Sequence, residues 1–183
     1  MGINTITESF TNSTPIFIPE EETSGSGPAS PYPSIIPVEM PGTILKVTVT
    51  LRGLTHSHPG DLVMLLVAPS EDNAMIMRSA GSSFNIVNTT ITFDDDAADP
   101  LPEFNKIESG TFQPTDYGRE KGEESGGANP VPPAPVPSTN SQLSIFDGQS
   151  PNGNWKLYVY DQFGDDIGVM VFGWSLTITT TVI

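Results

Sequence analysis

The sequence contains no cysteine. Disulfides, thiolate zinc sites and cysteine nucleophiles are therefore excluded, although the compartment is left open. Basic residues are scarce: 7 Lys and Arg stand against 22 Asp and Glu, a net charge of −15. Such a surface repels phosphate backbones and anionic membranes, so nucleic acid is not an expected partner and cations are. Acidity alone secures solubility and does not make a metal site. No stretch approaches the roughly 18 consecutive apolar residues of a membrane span. The opening MGINTITESF shows neither the basic region nor the apolar run of a signal peptide. Ile6 also stands where a myristoylation signal needs Ser or Thr. Helical periodicity is missing too: no window longer than a turn or two repeats apolar residues about every 3.6 positions.

Strand patterns fill the space. In LKVTVTLR, Leu45, Val47, Val49 and Leu51 alternate with polar residues, which places the four aliphatics on the core side of a strand. DLVMLLVAP is apolar almost throughout, the pattern of a strand covered on both faces. NAMIMR, NTTITF and NWKLYVY add three more strands. The closing VMVFGWSLTITTTV sets Trp174, Leu176 and Ile178 on one face with threonines opposite. HPGD, FDG and PNGN punctuate these runs, and FGDDIG reads as a hairpin between the last two strands. With 17 Gly and 18 Pro in 183 residues, the pattern predicts a single all-β domain over 1–183, an antiparallel β-sandwich or jelly roll.

Two segments differ. Residues 19–33, acidic and rich in Ser, Gly and Pro, read as a mobile excursion. Residues 113–141 combine a polar loop with PVPPAPVP. Proline cannot donate to a ladder, so this run is expected as polyproline-like chain lying over the sheet. Its PxxP spacing also matches an SH3-type ligand.

Few constellations suit chemistry. There is no G-x-S-x-G elbow, and nothing obvious serves as a nucleophile for His56 or His58 in THSHPGD. Those histidines are a possible metal pair or plain loop residues. Two acidic turns are sharper: Asp94, Asp95 and Asp96 in FDDDAAD, and Asp161, Asp165 and Asp166 in YDQFGDDIG. Calcium takes about six to eight oxygens from carboxylates and carbonyls on a curling loop. Adjacent aspartates repel, and a divalent cation would reverse that cost. The bland reading is that Asp favours turns and caps. Asp61 in HPGDL is a lesser candidate. Trp155 and Trp174, on strands expected to pair, alternate with aliphatics and read as core; exposed, they would stack on sugars. Tyr158 and Tyr160 point the other way and are expected at the surface.

The order of four stretches, LRGLTHSHPGDLVMLLVAP, SAGSSFNIVNTTITFDDDA, SGTFQPTDY and LSIFDGQSPNGNWKLYVYDQFGDDIGVMVFGWSLTI, resembles the P domain (Homo B domain) of proprotein convertases. The likeness is greatest to bacterial versions in secreted, multidomain proteins, and it runs from about Pro15 or Tyr32 to Thr179. The resemblance implies a jelly-roll, galactose-binding-domain-like sandwich of eight or more strands with calcium held by end loops. It implies an accessory module beside a subtilisin-like serine endopeptidase rather than an enzyme. Calcium is then expected at Asp94, Asp95, Asp96, Asp161, Asp165 and Asp166, in a monomeric extracellular or cell-surface protein. The expected partner is a neighbouring peptidase or surface-protein domain, with a glycan, as in lectin-like or adhesive modules, the alternative. The chain departs from convertases in lacking a catalytic domain within its 183 residues and in the length of the proline excursion.

Overall fold

A computed structural model of the protein describes residues 4–19, 25–118 and 129–182. Its strands are β1 (Asn4–Asn12), β2 (Ile16–Ile18), β3 (Gly27–Pro28), β4 (Ser34–Val38), β5 (Thr43–His56), β6 (Leu62–Val67), β7 (Asn73–Arg78), β8 (Ile86–Phe93), β9 (Gly110–Phe112), β10 (Thr115–Asp116), β11 (Gly153–Asp161), β12 (Gly168–Met170) and β13 (Trp174–Val182). Single 3-10 turns lie at Pro59–Asp61 and Leu143–Phe146. One sheet runs β1-β13-β5-β12-β2, with β8 and then β9 added beside β5; the other runs β10-β7-β6-β11-β3, with β4 also on β11. Most pairs are antiparallel; β8 with β9 and β10 with β7 are short parallel pairs. The expected all-β sandwich is what forms, with mixed rather than purely antiparallel sheets.

The core lies between the sheets. Trp155 on β11 and Trp174 on β13 are both fully buried, so neither indole can stack on a sugar. Their strands do not pair, contrary to expectation: they belong to opposite sheets, and the rings meet the core from either side. Burying an indole is stabilising only if its N–H finds an acceptor. Trp155 donates to the Pro151 carbonyl and Trp174 to the Ser34 hydroxyl, each at 2.9 Å. The FGDDIG stretch is therefore no hairpin. It carries the chain from the end of β11 across to β12 in the other sheet.

Leu45 is exposed, not core as its alternation suggests. Thr179 pairs with Lys46 and Thr180 with Ile44, so Leu45 is the extra residue of a bulge and Ile44 takes the buried place. A second irregularity lies between Leu51 and Leu54, where Gly53 adopts a φ of 68°. It shifts the phase of β5, so that Leu54 and His56 face inward.

Every residue of β6 is buried. Its inner side chains join the main core, while Val63, Leu65 and Val67 form a second cluster with Met75 and Tyr158 on the outer face. The proline run covers that face: Ala134 packs there, and Tyr158 donates to the Pro133 carbonyl at 3.4 Å. Tyr158 is thus buried rather than exposed, because the strap lies on it. The loop ahead of the strap, 119–128, falls outside the described residues. Of the stretch expected to be mobile, 20–24 also falls outside them, whereas 25–33 is tied down. Gly27–Pro28 pairs with Tyr160 and Asp161, and Tyr32 sets its ring edge-on to Tyr158 at 5.0 Å.

Candidate functional site

Two loops meet at one end of the sandwich: residues 57–61 after β5 and 162–167 after β11. Beneath them His56 and Asp161, both fully buried, join the sheets through Nε2 and Oδ2 at 3.1 Å. The His58 amide donates to His56 Nδ1 at 3.1 Å, so the imidazole proton sits on Nε2 and is donated to Asp161. The other Asp161 oxygen accepts from the Phe163 amide at 3.3 Å and starts the loop. Asp161 is thereby committed to holding the chain. Gly168 makes room for this pair, since a Cβ there would collide with the His56 ring and the Thr55 carbonyl.

Above the pair, Pro59 opens a 3-10 turn that turns Asp61 inward. Asp61 is only 8% exposed, and among the described residues its carboxylate has no hydrogen bond; His58 Nε2 lies 3.8 Å from it. The opposite imidazole nitrogen lies 3.9 Å from Asp166 Oδ2, and Ser57 donates to Asp166 Oδ1 at 2.7 Å. One donor atom each from His58, Asp61 and Asp166 falls within 4.8 Å of the others. Burial, with Asp161 and Asp166 adding repulsion against the pull of His58 and His56, pushes the Asp61 carboxyl up to about 6. Nearby, the Gln162 amide donates to the Asp61 carbonyl at 2.9 Å. The Gln162 Oε1 is a buried side-chain oxygen with no partner among the described residues. Asp165 stands exposed at a φ of 74°.

The Asp94–Asp96 turn lies elsewhere, with one lysine set against its three carboxylates. Lys46 Nζ sits 2.9 Å from Asp94 and 2.7 Å from Asp96. The hydrogen bonds that Lys46 donates to Asp96 and then to Asp94 raise its pKa. Asp95 accepts the Leu143 and Ser144 amides at 2.9 and 2.8 Å, capping the second 3-10 turn from a distance. Asp147, read only as part of a turn signal, lines a recess with Lys46, Asp95 and Asp96, and its carboxyl is shifted upward by burial and by Asp95.

Of the six aspartates expected to bind calcium, the fold thus brings Asp161, Asp165 and Asp166 to one end and Asp94, Asp95 and Asp96 to another place. At the first end it adds Asp61 and His58. The fit to a cation there is good in charge and mixed in donor type: two carboxylates suit calcium, whereas an imidazole suits zinc or manganese.

The class so defined is a two-sheet β-sandwich with a polar, acid-lined rim. No protein-family profile matches the chain. No curated protein matches it either. Among solved structures it resembles a serine protease of Aeromonas sobria in complex with its chaperone, at 12% identity and a TM-score of 0.46. That alignment covers 98% of this chain and 28% of the other. The Aeromonas sobria serine protease solved as such gives 13% identity, a TM-score of 0.46, and coverage of 97% and 27%. The chain therefore spans little more than a quarter of either.

Proposed function

We propose that this chain is a non-catalytic accessory module of an extracellular bacterial protein, of the P-domain type, whose rim is fastened by a divalent cation. Its role is structural: the cation ties the 57–61 loop to the β11–β12 crossover and holds that end in one shape for a neighbouring peptidase or surface-protein domain. The observation that carries the reading is the Asp61 carboxylate, largely covered, without a hydrogen bond among the described residues and gathered with Asp166 and His58 within 4.8 Å. Covering most of an acid without giving it a donor is costly, and a bound cation offsets that cost. The ordered P-domain-like motifs support the module class. The non-catalytic reading is supported by the His56 ring, whose nitrogens are taken by Asp161 and the His58 amide. Calcium is the expected ion, with Asp61 and Asp166 as oxygen ligands; His58 supplies a nitrogen that zinc would use and calcium would not.

Calorimetric titration with calcium and, separately, with zinc tests this, alongside thermal melts with and without chelator. Heat of binding and a rise in Tm, both lost in Asp61→Asn and in Asp166→Asn, are expected. Neither heat nor shift with either ion removes the cation from the account. A response to zinc alone, abolished by His58→Ala, keeps the site and changes its ion.

A further inference from the structure

The outer face of the β1-side sheet is divided. Over β1, β13 and most of β5 it carries hydroxyls that pair across the strands: Thr7 with Thr179 at 2.8 Å, Ser9 with Thr177 at 2.7 Å and Thr43 with Thr181 at 2.8 Å. These donors and acceptors satisfy one another, as suits a wetted sheet face. Around β12 the same face changes character. Gly168 packs on His56 and Met170 is buried, so Ile167, Val169 and Val171 fall on the outer side. Phe17 stands opposite Val169 on β2, projecting outward between buried Ile16 and Ile18. Phe172 lies over Gly53, where any Cβ would strike its ring, and Val87 projects from β8 beside buried Ile86. Ile167, Val87 and Phe172 are 71%, 67% and 57% exposed.

Single exposed apolar residues are ordinary, but a contiguous patch rimmed by polar groups marks a contact surface. These six side chains, with β5 running between Val87 and the rest, border the acidic rim, where Asp165 and Asp166 immediately precede Ile167. On its opposite border Arg52 is turned to the Ser175 hydroxyl. A second copy of the chain would bring the same acidic border and a further −15 charges.

We propose that this apolar half-face is a docking surface for a protein segment that presents aliphatic or aromatic side chains flanked by lysine or arginine. The apolar residues supply the contact area and exposed Asp165 selects the basic flank. The proposal rests on the accessory-module reading and gives it a face and a partner chemistry.

The test pans a random-peptide display library against the immobilised full chain at low salt, with chelator present so that a rim cation plays no part. Enriched peptides are expected to combine apolar with basic residues. They should bind an Ile167→Ser/Val87→Ser variant at least ~10-fold more weakly and Asp165→Asn several-fold more weakly. Both positions are exposed, so an unchanged melt shows that the double variant is folded. No enrichment, enrichment of acidic peptides, or undiminished binding to the double variant overturns the proposal. So does a concentration-dependent dimer in sedimentation that the double variant disperses. Retention on phosphatidylcholine–phosphatidylserine vesicles that the variant loses would assign the face to lipid and overturn it likewise. The cation response of wild type and variant is read separately, so it stands or falls on its own.

Discussion

His56 occupies the place of an aliphatic residue at the end of β5, and its exchange for a smaller side chain measures what the buried pair contributes. His56→Ala removes the donor from fully buried Asp161 and should cost about 3 kcal/mol or more, read from urea melts. Gly168→Ala leaves the pair chemically intact but drives a methyl into the His56 ring and the Thr55 carbonyl, so about 1–3 kcal/mol is expected. Asp61 acts in the opposite sense, through pH. Its carboxyl is raised from 3.8 to about 6 in the folded chain, so protonation favours the fold. That contribution is complete below about pH 4 and is lost as the pH climbs through about 6. His58, Asp161, Asp166 and His56 face the same carboxylate and shape the curve. With chelator present, Asp61→Asn should flatten this limb of a stability-against-pH profile and raise the stability at pH 7 by about 1–2 kcal/mol, after allowance for solvent at the rim. A limb that persists in the variant would assign the titration to another group.

Two bulges decide how far the elements could be read from their letters. The period-two alternation of Trp155, Leu157 and Val159 continues to Asp161, so the burial of that aspartate was legible as a fourth core position. His56 was not: counted from Val47, Val49 and Leu51 it falls on the wet side, and only the irregularity at Gly53 turns it inward. A bulge adds a residue without any period of its own, and the same device hides the exposure of Leu45. Partnership across 105 positions leaves no local trace at all. The proline strap was legible as chain lying over a sheet, because β6 lacks a polar face to offer water. What it buries, Tyr158 included, followed only from seeing which face it crosses. Asn73 pins the strap at its far end, donating to the Val136 carbonyl at 3.3 Å and accepting from the Ser138 amide at 2.7 Å. At the near end Arg78, itself paired with Asp116, holds the Asn129 side chain at 3.1 Å. Asn73→Ala should therefore loosen 129–138 before the sandwich itself, at about 1–3 kcal/mol. Hydrogen exchange quickening in the strap, with added ANS binding to the Val63, Leu65 and Val67 face, is the expected signature; exchange quickening evenly through both sheets would contradict it.

At the scale of the molecule the excess of 22 acids over 7 bases sets a condition on every test of a bound cation. A chain at −15 repels itself, and any salt relieves that by screening, over a Debye length of about 10 Å at 0.1 M. Sodium chloride alone should raise the chelated Tm, gradually and without saturation in the millimolar range. Calcium acts in both ways at once, as a screening ion spread over the surface and as a ligand of one place. The two separate at matched ionic strength. Screening follows ionic strength and is nearly the same for Asp61→Asn, which changes the net charge by only one. Binding saturates, and its contribution grows as RT ln(1 + [L]/Kd), about 2.7 kcal/mol at a hundredfold excess over Kd. The expected result is a calcium curve that rises above the sodium curve and levels off, with Asp61→Asn following the sodium curve alone. If calcium and sodium superimpose at equal ionic strength, the acids at the rim serve only to keep the fold dissolved. The crossover from β11 to β12 would then be held by the His56–Asp161 pair beneath it and by the hydrogen bonds of Ser57 to Asp166 and of the Gln162 amide to the Asp61 carbonyl above.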